Sequence, residues 1–127
     1  MSFTGKYLLD ARENYELFMR KLGIPEDQIQ LCKDLKSTTE IEENGDHFKI
    51  TVTTGPHVSV VSFTIGQECE MQDMTGGKFK TVVKREGKKL VNDIKGVESA
   101  TELVDANTLV NILTLGDIKC KTISKRI

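Results

Sequence analysis

Through the last two-thirds of the chain, apolar and polar side chains alternate with a period of two, the mark of half-buried strands. In Phe48-Lys49-Ile50-Thr51-Val52-Thr53 the even positions are apolar and the odd ones polar. By the same rule Thr39 and Ile41 oppose Glu40 and Glu42, while Phe79, Thr81 and Val83 oppose Lys78, Lys80 and Lys84. Leu90, Asn92 and Ile94 share one parity; Ser99, Thr101 and Leu103 oppose Glu98 and Glu102; Ile118, Cys120, Thr122 and Ser124 oppose Lys119, Lys121 and Lys125. The run from Thr108 to Leu115 is apolar on both parities, so alternation does not orient it.

Turn formers punctuate these segments at Asn44-Gly45, Gly55-Pro56, Gly66, Gly76-Gly77, Gly87, Gly96, Asp105-Ala106-Asn107 and Gly116-Asp117. The intervals suit one strand each and are too short for a helix with its return loop, so the spacing predicts an antiparallel meander. The N-terminal third differs. Tyr15, Phe18, Met19 and Leu22 form a stripe at helical spacing that Gly23 ends, and Pro25, Glu26 and Asp27 open a second helix running to about Lys36. Gly5 to Asp10 supplies one strand before the helices, and the eight breaks divide the rest into nine, ten in all. The prediction is an all-β, lipocalin-like fold: a ten-stranded antiparallel up-and-down barrel, or clam, capped by a helix-turn-helix lid over about residues 14–36, with 1–127 as one domain. Closure removes exposed sheet edges. Eight strands already enclose a filled interior or one small ligand, so ten leave room inside.

Composition adjusts this picture. Among 127 residues, 18 basic side chains against 19 acidic give a net charge of −1, which leaves no global basic field and excludes nucleic acid as a principal partner. There is no tryptophan and only 6% aromatic content to plug the interior. Lys6 and Asp10 interrupt the opening segment before an apolar signal-peptide run could build, and no later stretch approaches membrane-spanning length, so a soluble cytoplasmic protein is expected. Cys32, Cys69 and Cys120 are far apart and odd in number, which fits small buried thiols better than a disulfide framework.

The inward parity is unusually polar. Thr39, Thr81, Asn92, Ser99, Thr101, Thr122 and Ser124 would be costly to bury without partners, so they point to a wet cavity, with Ile41, Phe48, Ile50, Val52, Val83 and Leu90 as its apolar lining. Mixed walls of that kind suit an amphipathic lipid. Catalysis has no comparable support: His47 and His57 sit in no metal-ligand spacing and beside no nucleophile, and Gly76-Gly77-Lys78 lies between strands, where it reads as a hairpin turn and not a phosphate loop. A non-enzymatic protein without cofactor is expected.

Gly5, Tyr7, Leu9, Asn14-Tyr15-Glu16, Phe18-Met19 and Leu22 match the N-terminal signature of the intracellular lipid-binding protein family. Glu68-Cys69-Glu70, Met74-Thr75-Gly76, Lys80-Thr81-Val82-Val83, Leu115-Gly116-Asp117-Ile118 and Ile123-Ser124-Lys125-Arg126-Ile127 resemble its liver-type fatty acid-binding branch. The resemblance implies a carrier of long-chain fatty acids, bile acids or other hydrophobic molecules, and a monomer is the default expectation. It also implies a portal formed by the second helix (Ile29, Lys33, Lys36), the turn from Thr54 to His57 and the turn from Met74 to Gly77, with Met74 also touching ligand. Asn111 and Ser124 match polar cavity positions, and Thr39 stands where the family pattern has serine. Thr122 departs from the pattern, which places there an inward arginine that binds ligand carboxylate. Alternation puts no other basic residue inside, so an internal carboxylate should be held less firmly, since charge-assisted bonds are about twice as strong as neutral ones. Two expectations follow: a fatty-acid carrier whose affinity Thr122→Arg would raise, or a carrier of bile acid or sterol-like molecules whose hydroxyls suit Thr, Ser and Asn. Lys33, Lys36 and the outward lysines of the last strand could touch anionic membrane surfaces transiently.

Overall fold

The structure is a computed structural model that describes residues 3–33, 36–72, 78–94 and 96–127, with the side chains of all of these except Cys32, Lys33, His57, Gln72 and Ile94. In chain order the elements are β1 (Gly5–Glu13), α1 (Tyr15–Lys21), α2 (Glu26–Lys33), β2 (Ser37–Asn44), β3 (His47–Thr54), β4 (His57–Thr64), β5 (Glu68–Gln72), β6 (Lys78–Val82), β7 (Lys84–Glu86), β8 (Lys89–Ile94), β9 (Val97–Asp105), β10 (Thr108–Leu115) and β11 (Ile118–Arg126).

The predicted meander is present with one strand divided. The chain breaks at Val83, so that β6 pairs back with β5 while β7 pairs forward with β8. The Val83 carbonyl accepts from Gly66 N at 2.9 Å, a bond to the β4–β5 turn that takes it out of the ladder. Pairing is antiparallel throughout, and nine strands form one curled sheet in the order β4-β3-β2-β1-β11-β10-β9-β8-β7. The first strand bridges the second and the last, which rolls the sheet into the barrel wall. The expectation of a ladder closed all the way round needs correction. The β5–β6 hairpin is a separate two-stranded sheet, leaving β4 without a ladder to β5; β6 approaches β8 through the Thr81 hydroxyl, which donates to the Asp93 carbonyl at 2.9 Å.

The lid follows its sequence signals. After α1, Gly23 adopts φ 84 and donates to Arg20 O, while Ile24 donates to Met19 O, the paired bonds of a Schellman terminator. The α1 stripe delivers Phe18 and Met19 into a cluster with Ile29, Val97 and Cys120. A second cluster of Phe3, Tyr7, Ile41, Phe48, Phe63, Val83, Leu90, Leu103 and Leu109 fills another part of the barrel. Phe48 stacks on Phe63 with ring centroids 5.4 Å apart.

One irregularity matters most for the interior. In β1, Leu9 pairs with Ser124 but Ala11 pairs with Ile123, leaving Asp10 as an extra residue. A bulge of this kind shifts the side-chain parity of the strand beyond it. Tyr7 and Leu9 are buried before the bulge; after it, Ala11 and Glu13 are exposed and Arg12 is the half-buried residue.

Candidate functional site

Between the two apolar clusters lies a cavity of about 400 Å³, within the usual range of small-ligand sites. Ile41 and Leu109 of the barrel cluster and Met19 and Cys120 of the lid cluster all reach it. Of the residues expected to line a cavity, the structure brings Thr39, Ile41, Ile50, Val52, Thr101, Asn111, Thr122 and Ser124 together on its walls. They come from β2, β3, β9, β10 and β11, whose ladders are regular through these residues and keep successive inward side chains on one surface. Asn111 organises the polar wall, its Nδ2 donating to Thr101 Oγ1 at 2.9 Å and lying 3.5 Å from Ser99 Oγ.

Other expected lining residues sit elsewhere. Phe48, Val83 and Leu90 point inward but are packed into the barrel cluster, not the cavity wall. Thr81 is buried with its hydroxyl bonded to the Asp93 carbonyl, the local backbone bond that a strand threonine readily makes. Asn92 faces Met71 Sδ at 3.9 Å, and Ser99 is buried behind Asn111. Ile29, expected at the portal, is fully buried in the lid cluster: it anchors α2 against α1. Thr54 is half-buried with its Oγ1 2.8 Å from Ser37 Oγ, and Lys36 is exposed. Met74 lies outside the described residues, as do the side chains of Lys33 and His57.

The walls also include Leu9, Arg12, Tyr15, Met19, Ser37, Leu109, Leu113 and Cys120. Most of these were within reach of sequence reasoning. Tyr15 and Met19 belong to the helical stripe, Ser37 and Cys120 share parity with Thr39 and Thr122, and Leu109 and Leu113 share it with Asn111. Arg12 was not, and it corrects the expectation of an interior without a cation. The guanidinium lies 4.6 Å from the centre of the Tyr15 ring, and Nη2 donates to Ser37 Oγ at 3.4 Å. Arg12 is also the partner of Thr122 across the β1–β11 ladder. Burial pushes the Cys120 thiol up from its ordinary 9.0, an effect that the positive charge of Arg12 and a hydrogen bond with Thr122 only partly oppose.

The family model described as lipocalin / cytosolic fatty-acid binding protein matches residues 1–127. The chain belongs to this family. Among other members, the fatty acid binding protein 1-B.1 of Danio rerio is 56% identical over 127 residues, covering 100% of this chain and 99% of the relative. A liver-type fatty acid-binding protein of Epinephelus coioides is 54% identical over 100% of both chains. A solved zebrafish ileal bile acid-binding protein complexed with cholic acid superposes with a TM-score of 0.85 at 34% identity, over 98% of each chain. Like the rest of the family, the chain is a non-enzymatic β-barrel with a helical lid. Among the described residues no helix is long and apolar enough to cross a membrane.

Proposed function

We propose that this protein is a cytoplasmic carrier of long-chain fatty acids, holding one end of the ligand against the polar wall and its chain against the aliphatic one. The observation that carries this is the mixed cavity itself. Ser37, Thr39, Thr101, Asn111, Thr122 and Ser124 share its walls with Leu9, Ile41, Ile50, Val52, Leu109 and Leu113, in a chain whose full-length relatives are named fatty acid-binding proteins. Burial of the chain supplies the affinity, at about 25 cal/mol per Å² of apolar surface removed from water. The barrel is a monomer, and exposed Lys36 together with Leu17 and Leu31 on the lid offers a surface for brief contact with anionic membranes during transfer.

Bile acid is the second reading, with a cholic acid-bound structural neighbour behind it. The full-length liver-type relatives favour fatty acid. Calorimetric titration of delipidated protein with oleate and with cholate separates the two. Tighter binding of oleate is expected, and negligible oleate binding at micromolar concentration overturns the fatty-acid reading.

A further inference from the structure

We infer that Arg12 is the cation that holds the ligand's carboxylate, doing from β1 what an arginine at the position of Thr122 would do from β11. The inference rests on the carrier reading above and names the residue that gives that site its charge selectivity.

Three observations converge on it. First, the Asp10 bulge turns Arg12 onto the inner face, where unbroken alternation would have put Ala11. Turning a guanidinium toward a partly apolar cavity is costly unless polar partners or a counter-charge meet it. Second, Arg12 alone carries a formal charge among the described residues that line the cavity, so it is the side chain there that can offer a carboxylate charge-assisted bonds. Third, Arg12 and Thr122 are ladder partners and both reach the same cavity, so the two positions address one place from adjacent strands.

The surroundings suit a carboxylate. The Tyr15 ring and Ser37 Oγ hold the guanidinium, and Ser37 is itself fixed by Thr54 Oγ1 at 2.8 Å. An arginine with five donors in a fixed fork can keep such contacts and still present a carboxylate with charge-assisted bonds. The Thr122 hydroxyl stands beside it as a further donor. Because Arg12 follows the bulge and directly precedes the lid, the carboxylate lies at the lid end of the cavity beneath Tyr15, and the chain extends toward Ile41, Ile50 and Leu109. The expectation that Thr122→Arg alone raises affinity changes accordingly. With Arg12 in place it would set two guanidinium groups on adjacent strands, and like charges so placed repel.

Titrations of oleate and of the uncharged oleyl alcohol into wild type, Arg12→Gln and the exchanged pair Arg12→Gln/Thr122→Arg test this. Arg12→Gln is expected to weaken oleate roughly 10- to 100-fold, the size of a lost charge-assisted bond, with little change for the alcohol. The exchanged pair is expected to recover most of the loss. Equal losses for both ligands make Arg12 a purely structural residue and overturn the assignment, as does unchanged oleate affinity. Wild type needs no substitution for a second readout: the carboxyl carbon-13 signal of bound oleate should titrate below the ordinary carboxylate range, and titration at or above that range also overturns it. Wild type that binds neither ligand refutes the carrier reading itself, whereas wild type that binds oleate and is indifferent to Arg12→Gln refutes the Arg12 assignment alone.

Discussion

Arg126 Nη2 donates to the hydroxyl of Tyr7 at 2.9 Å, and that hydroxyl donates in turn to the carbonyl of Phe3 at 2.8 Å. The bonds tie the start of β1 to the end of β11, and Arg126 Nη1 adds a third to the Thr4 carbonyl at 2.9 Å. Gly5 permits the approach, since a Cβ there would lie 2.7 Å from Arg126 Nη1. Tyr7→Phe keeps the ring and strands the Phe3 carbonyl in a buried setting, a loss of about 1–3 kcal/mol. Urea unfolding should show the midpoint falling by a corresponding amount with oleate affinity unchanged, because Tyr7 is not on the cavity wall. An unmoved midpoint would mean that the bond contributes nothing.

Tyr7 also sets a limit on alkaline stability. Burial pushes its phenol above the ordinary 10.0, more than the Arg126 charge pulls it down. In the unfolded chain the phenol ionises near 10, so above that pH the unfolded state releases a proton that the folded state keeps. Stability from this group is therefore complete below pH 10 and declines as the pH rises beyond it. Thermal unfolding across that range should show a steeper alkaline decline in wild type than in Tyr7→Phe; parallel declines would count against it.

Cys120 reports on cavity occupancy. Its thiol is buried, raised above 9.0 and set on the cavity wall. Since the thiolate is the reactive form, alkylation should be slow at neutral pH and should accelerate only at a pH above that of a free thiol. A bound fatty acid covers the same wall, so mass spectrometry of the Cys120 peptide should show further slowing in the presence of oleate. Equal rates with and without oleate would place the ligand elsewhere.

Alternation identified the facing of a residue well and its depth poorly. Thr39, Ile41, Ile50, Val52, Thr101, Thr122 and Ser124 lie on the cavity wall because the β2–β3 and β10–β11 ladders are unbroken and the β9–β10 ladder is regular from Leu109 to Thr114, so parity there maps directly onto inside and outside. Phe48, Val83 and Leu90 have the same inward parity, yet they pack in the barrel cluster, because a period of two carries no information about height along the barrel. Two further features left no signal in the pattern. The break at Val83 changes strand partners while Phe79, Thr81 and Val83 keep alternating, and the bulge at Asp10 changes parity part-way along β1. The second concealed Arg12, the charged residue that alters the chemistry of the cavity most.

The divided ladder predicts where the barrel opens first. Each residue of β10 from Thr108 to Thr114 has a ladder partner on both β9 and β11, so freeing its amides requires most of the sheet to come apart. The β5–β6 hairpin is joined by ladder bonds only to itself, and its tie to β8 includes the Thr81 hydroxyl. Elements held by fewer shared bonds exchange through smaller openings than the global one. Hydrogen exchange should therefore release the amides of β5 and β6 well before those of β10, and Thr81→Val should hasten β6 further while leaving β10 unchanged. If β5 and β10 exchange together, the barrel opens as one cooperative unit and the gap between β4 and β5 has no dynamic consequence.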